Sequence, residues 1–207
     1  MLLAAKTALL RAQGRQSSTK NYFTVTLGGP VPFFIQGTGA GIATATADLS
    51  QPISNNTEAW GIEHTPFGGW RIVGNLQVPV SIPVTATTGD VINVAWDAVT
   101  GDLFLGINGT YYDVAGTSLG GTPSMPAFIG LTGTMFQFGG ATETTNDMTL
   151  DSAPGDTPSG FANWDSGSTW NPADKSSNAV LSGGNLILNA GTVIVAMARG
   201  TVSKTSP

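Results

Sequence analysis

Residues 88–108 read TGDVINVAWDAVTGDLFLGIN, and the alternation within them decides the fold class. Ile92, Val94 and Trp96 fall on one face of an extended chain, residues 97–101 interrupt the pattern, and Leu103, Leu105 and Ile107 resume it. A period of two is the signature of a half-buried strand, not of a helix. Gly101 supplies the positive φ that a short connection needs, and Asn108-Gly109 is a second turn signal a few residues later. The stretch predicts an antiparallel hairpin with Trp96 in the core.

The same grammar extends outward. In residues 22–27, Phe23, Val25 and Leu27 share one face, and Tyr22, Thr24 and Thr26 the other. Residues 127–131 and 135–138 predict two further strands. Residues 178–188, NAVLSGGNLIL, predict a second hairpin turning on Ser182-Gly183-Gly184, followed by a strand-like stretch at 192–198. Apolar runs recur about every 8–12 residues between turn residues, the spacing of sandwiches and barrels. With 28 Gly, 12 Pro and 41% hydrophobic residues, the chain is too apolar for disorder and too punctuated for long helices. The reading is all-β, a two-sheet antiparallel β-sandwich. Residues 1–140 form its body, the polar, Pro- and Gly-containing residues 141–170 a linker, and residues 171–207 a C-terminal hairpin and strand.

Charge and cysteine content exclude several functions. Thirteen acidic residues against eight basic ones leave no basic stripe to neutralise a phosphate backbone, so nucleic acid is not an expected partner. Without cysteine there are no disulfides, thiolate nucleophiles or sulfur-bound zinc. The opening MLLAAKTALL carries Lys6 inside its apolar run, which argues against a secretory signal. No stretch reaches the ~20 apolar residues of a membrane helix, so no membrane partner is expected either.

Candidate chemistry is sparse. His64 is the only histidine, and its neighbours Glu63 and Thr65 specify no catalytic triad, so it reads as an ordinary loop residue. Asp90, Asp97 and Asp102 lack the spacing of a calcium loop, and turn capping accounts better for Asp97 and Asp102. Gly37-Thr-Gly-Ala-Gly41 lacks the lysine and helix of a phosphate loop. Glu58, Glu63 and Glu143 are the only glutamates available for a sugar-cleaving pair. No catalytic residue, cofactor or metal ligand is expected. Asn55 and Asn108 begin Asn-X-Thr sequons, which matter only on a eukaryotic secretory route. Trp60 and Trp70 bracket residues 65–69, TPFGG, a loop-like setting in which both, with Phe67, are candidates for partner contact.

In residues 88–109 the order Gly89-Asp90, apolar strand, Asp-containing turn, strand, Asn108-Gly109 resembles the SPRY domain. Residues 17–25, SSTKNYFTV, are similar to that family's Ser-Ser-Gly-Lys-aromatic-Tyr-aromatic-Glu-Val strand, with Asn21 in place of an aromatic and Thr24 in place of Glu. Gly39-Ala-Gly-Ile-Ala43 looks like its Gly-Ile-Gly strand, and the resemblance spans residues 11–138. Residues 169–186, TWNPADKSSNAVLSGGNL, are similar to the segment that opens SPRY-like modules in tailed-phage virion proteins, but here they follow the domain. The resemblance implies a SPRY/concanavalin-like sandwich located in the virion. Its implied function is that of a non-enzymatic capsid decoration or tail fibre protein, contacting other virion proteins and itself as a homo-oligomer. The alternatives are a receptor-binding module for bacterial surface glycan and a glycan depolymerase. The family's partner site, built from loops at one end, would lie near residues 65–69 and Arg71.

Residues 196–206, AMARGTVSKTS, can be laid on residues 8–18, ALLRAQGRQSS, matching Ala196 with Ala8 and Arg199 with Arg11. The first hairpin of the family pattern thus stands at the C-terminus. A sandwich without it would expose a sheet edge, and edges are normally covered. Val180, Leu181, Leu186 and Leu188 are the residues expected to complete the sheet, in their own chain or in a neighbouring one. The remaining reading is a truncated second module that pairs with nothing.

Overall fold

The alternation in residues 88–108 folds as β6 (Val91–Asp97) and β7 (Asp102–Ile107), paired antiparallel from Ile92↔Ile107 to Asp97↔Asp102. Gly101 closes their turn at φ 74°. Asn108 and Gly109, at φ 52° and 77°, reverse the chain again into β8 (Thr110–Tyr112). The pair of positive φ values is that of a type I′ turn, whose twist suits two strands. On the other side of β6 lies β1 (Lys20–Leu27), registered from Lys20↔Asp97 to Thr26↔Val91.

The computed structural model describes residues 19–29, 37–65, 67–75, 77–142, 145–165, 167–191 and 196–206. Outside them lie the N-terminal run, the copy at residues 8–18, Glu143 and the beginning of the 192–198 strand. Two more strands follow on the far side of β8 and β1, namely β9 (Ser118–Gly120) and β11 (Asp147–Asp151). The C-terminal hairpin is β14 (Ala179–Ser182) and β15 (Ile187–Ala190). The first sheet then runs β14-β15-β11-β1-β6-β7-β8-β9. The short β12 (Ala162–Asn163) pairs parallel to the start of β1, in line with β11.

The second sheet is built on β2 (Gly39–Thr44), β3 (Ala59–His64), β4 (Gly69–Gly74) and β5 (Val80–Thr85). Beyond β2 come β10 (Thr134–Ala141), β16 (Ala196–Thr205) and β13 (Trp170–Lys175), giving the order β13-β16-β10-β2-β3-β4-β5. The sheets pack face to face as a β-sandwich. Phe23, Val25, Ile92, Val94, Trp96, Leu103 and Leu105 from one meet Ile42, Ile62, Trp70, Ile72 and Met135 from the other. Among the described residues no helix is long and apolar enough to cross a membrane.

Two expectations need correction. The stretch read as a linker supplies structure to both layers: β11 pairs with β1 through Leu27↔Met148 and Val25↔Leu150. Trp164 is buried, stacked on Trp96 at 6.0 Å and edge-on to Phe23 at 5.3 Å. Two alternating apolar residues and one isolated tryptophan are too little for periodicity to register. The boundaries at 140 and 170 therefore divide neither sheet. Residues 127–131 form no strand but a single bridge, Phe128 to Leu103. Pro126 has no N–H to donate and Gly130, at φ 68°, turns the chain away.

The C-terminal hairpin joins its own chain, with β15 on β11 through Met148↔Leu188. Its four marked residues part company. Leu188 is fully buried, Leu181 packs on the rim of the core, and Val180 and Leu186 face solvent, Val180 at 50% exposure. The outer margin of the sheet is closed locally: Lys175 Nζ donates to the Ala179 carbonyl at 2.6 Å, and Ala179 N donates to Ser176 O at 3.1 Å. Pro83 and Pro172 sit in β5 and β13, the margins of the second sheet.

Arg199, on β16, fastens the second sheet to the loop that covers its outer face. Its Nε and Nη2 donate to both oxygens of Asp174 at 2.6 Å, and Nη1 donates to Ala47 O at 2.9 Å and Thr44 O at 3.2 Å. Arg199→Ala strands two carbonyls and a half-buried carboxylate. It is expected to lower the unfolding free energy by about 3 kcal/mol in a denaturant titration, and Arg199→Lys, which lacks the planar fork, by about 2.

Candidate functional site

The candidates of the β3–β4 hairpin do not come together. Phe67, at its tip, is 86% exposed. Trp70 is fully buried, its Nε1 donating to Asp90 Oδ2 at 2.8 Å. Arg71 is pinned by Glu63, Nη2 to Oε1 at 2.9 Å, and Glu63 also accepts from the Ser54 amide and hydroxyl. Trp60 pairs with Gly74 at the opposite end of the hairpin and is only 9% exposed. The loop reading fails because Trp60, Ile62, Trp70 and Ile72 are the inward positions of two strands, a period that the intervening glycines conceal. His64 is likewise no loop residue. It ends β3, fully buried, with its ring edge-on to Trp70 at 5.9 Å.

The aspartates serve the frame. Asp90 receives Trp70 Nε1, Thr87 N at 2.9 Å, Thr87 Oγ1 at 3.0 Å and Asn108 Nδ2 at 2.8 Å, joining the two sheets through one carboxylate. Burial alone would raise its pKa, but those donors outweigh burial and hold it below the usual carboxylate range. Asp97 behaves in the same way, burial opposed by Lys20 at 3.1 Å and by the Val99 amide, and its net shift is also downward. Asp102 opens β7, half-buried. On the outer face of the first sheet, burial pushes the Tyr22 phenol up to about 12 although Asn93 Nδ2 donates to it at 2.7 Å. Tyr111 beside it is raised further by burial. Neither phenol ionises near neutrality. Glu58 accepts from Thr44 Oγ1 at 2.9 Å, and Glu63 is committed to Arg71, so the described glutamates do not face one another across a substrate site. Among the described residues no group of three or more His, Asp or Glu is placed to hold a metal ion.

What the fold does build is a cleft of about 350 Å³ at one end of the sandwich, between the margins of the two sheets. Trp60 contributes its wall on one side, with Asn75 and Gln77 from the turn after β4; Val114, Phe128, Ile129 and Leu131 line the other. Local sequence explains the opening. The three residues of β8 leave the Leu103 end of β7 without a neighbouring strand, and Phe128 takes that place, its O accepting from Leu103 N at 2.9 Å. Leu131 N donates to Gly101 O at 2.9 Å, holding the loop over the β6–β7 turn. Gly74 lets the rings of Trp60 and Phe128 approach, since a Cβ there would strike both.

Val114 and Ile129 stand 57% and 74% exposed at the cleft, and among the described residues no charged side chain lines it. Such a recess accepts an uncharged, largely apolar group and offers amides at one side for orientation. Of the sequence candidates only Trp60 belongs to it. The others were missed because they sit in turns. Their one signal was Met125, Phe128 and Ile129 within the Pro- and Gly-containing residues 122–131, TPSMPAFIGL, where apolar side chains have no strand to bury them. No protein-family model matches this chain, and no curated protein matches it.

Proposed function

We propose that the chain is a non-enzymatic structural protein of a tailed-phage virion, a capsid decoration or fibre component acting through protein–protein contacts with other virion proteins and with copies of itself. The observation that carries the contact surface is the uncharged cleft with Val114 and Ile129 exposed beside it. Exposed Val78 and Met125 are chain neighbours of the lining residues Gln77 and Pro126. Apolar side chains gathered at one end of a sandwich suit a protein interface. The virion assignment rests on the resemblance of residues 169–186 to the segment that opens SPRY-like modules of phage structural proteins, beside the resemblance of residues 88–109 to the SPRY domain.

A second reading, a receptor-binding module for bacterial surface glycan, is favoured by one feature: Asn75 and Gln77 beside Trp60 offer the amides and indole that sugars use. Ile129→Asp separates the two. The side chain is mostly exposed, so stability should change by less than about 0.5 kcal/mol. Incorporation into particles, measured by quantitative mass spectrometry of purified virions, should fall about tenfold, the effect of losing about 1.4 kcal/mol of contact energy. Undiminished incorporation together with binding on a glycan array would overturn the structural reading in favour of the second.

A further inference from the structure

Among the described residues, Phe67 is the one aromatic side chain that stands mostly in solvent. The tip that carries it is tied down. Thr65 Oγ1 accepts from the Phe67 amide at 3.3 Å and the Gly69 amide at 3.0 Å, Thr65 N donates to Gly69 O at 2.7 Å, and Gly68, at φ 84°, completes the reversal. Ala86 N donates to Gly68 O at 2.8 Å and fastens the tip to the chain leaving β5. A ring held out on a pinned turn is unfavourably placed in water and gives up little backbone freedom when something covers it.

The cleft lies at the other end of the same hairpin, since Trp60 and Gly74 pair where β3 and β4 are farthest from residues 65–69. The six residues of β3 span about 20 Å, so Phe67 does not reach the cleft of its own chain. Ring and recess nevertheless match. Trp60 and Phe128 give the cleft two aromatic walls, and aromatic rings pack well edge-on or offset against one another. A volume of about 350 Å³ is at the small end for a ligand pocket, room for one large side chain rather than for a helix or a strand. Neither residues 65–69, TPFGG, nor the described lining of the cleft holds a charged group, so bringing the two together strips no ion of its water.

On these grounds, and resting on the reading of the cleft as a protein-contact surface, we infer that the Phe67 ring of one copy seats in the cleft of the next, so that copies stack head to tail. Using one end of the sandwich leaves the other end free. The contact is therefore heterologous and repeats, where a two-fold contact would stop at a pair. One ring and the rim around it bury far less than the ~1,200 Å² of a stable interface, which sets each joint at a Kd on the order of 0.1 mM. Dilute subunits are then monomers, and stacking begins where they are concentrated or aligned by a common partner.

Sedimentation of the full chain from about 10 μM to about 1 mM, a range that brackets this Kd, tests the stack. The average mass of the wild type is expected to rise past that of a dimer, while Phe67→Asp and Ile129→Asp each remain monomeric. The decisive sample is their equimolar mixture. Each variant keeps the half that the other lacks, so the mixture is expected to form dimers and nothing larger. Both side chains are mostly exposed, so both variants should keep the wild-type denaturation midpoint. A wild type that stays monomeric throughout, a wild type that stops at the dimer, or folded variants that fail to pair on mixing would overturn the inference. If Ile129→Asp loses incorporation into particles while the wild type stays monomeric, the contact surface stands and the stacking fails, the occupant being a different virion protein. If the wild type stacks and Ile129→Asp incorporates normally, the stacking stands and the structural role fails.

Discussion

Asp90→Ala is expected to lower the unfolding free energy by about 3–4 kcal/mol at neutral pH, measured as a shift in denaturant midpoint at constant slope. The carboxylate is the shared acceptor of four donors, one of them the indole of a fully buried tryptophan on the opposite sheet. Removing it leaves Trp70 Nε1 without its acceptor in a site water does not reach, and hydrogen bonds to a charged acceptor contribute about 1.5–3 kcal/mol each before compensation. Asp90→Asn keeps the volume but turns N–H groups toward donors, and should cost about 2 kcal/mol. The pH dependence follows from the downward shift of the folded-state pKa. The stabilisation is fully present above the unfolded value near ~3.9 and is lost as pH falls below it through the folded value. Wild type should therefore lose stability on acidification below about pH 4 more steeply than Asp90→Asn. Parallel acid profiles for the two would rule the carboxylate out as the joint between the sheets.

Leu188→Ala is the second large effect, about 3 kcal/mol, because Leu188 is wholly enclosed between Leu181, Met148 and the opposite layer. Val180→Ala, eight residues earlier on the same hairpin, should change stability by less than about 0.5 kcal/mol, its side chain being half in solvent. The contrast is the informative quantity. If the hairpin completes the sheet, Leu188→Ala should also remove amide-exchange protection from β14 and β15 before the rest of the chain opens. Equal small effects at both positions would mean that the hairpin contributes nothing to the sandwich.

The parts of this architecture that could be read from residues alone are those in which one strand carries three or more alternating apolar side chains. Ile92, Val94 and Trp96 met that condition, as did Leu103, Leu105 and Ile107, and Phe23, Val25 and Leu27. β11 did not. Met148 and Leu150 are two residues among threonines and aspartates, and their strand exists because β1 and β15 flank it, a tertiary cause with no local trace. Trp60 and Trp70 illustrate the opposite failure. Gly68 and Gly69 gave the segment the look of a loop, but a tight hairpin uses glycine too, and the residues on either side belonged to strands. The cleft was the least legible feature, since Asn75, Val114 and Ile129 converge from three separate turns. The aspartate pattern was half legible: Asp97 does cap its turn, whereas Asp90 reaches a tryptophan twenty residues away.

The ammonium of Lys175, seated on the Ala179 carbonyl, has a bearing on how copies of this protein can crowd together. A β-rich chain at high local concentration risks being zipped to its neighbour by main-chain bonding, which once begun has no natural stopping point. With that carbonyl already occupied by a cation from the same molecule, and with proline standing in both outer strands of the other layer, such templated growth is opposed at three of the four sheet margins. At those margins, any approach of a second copy would have to be made through side chains.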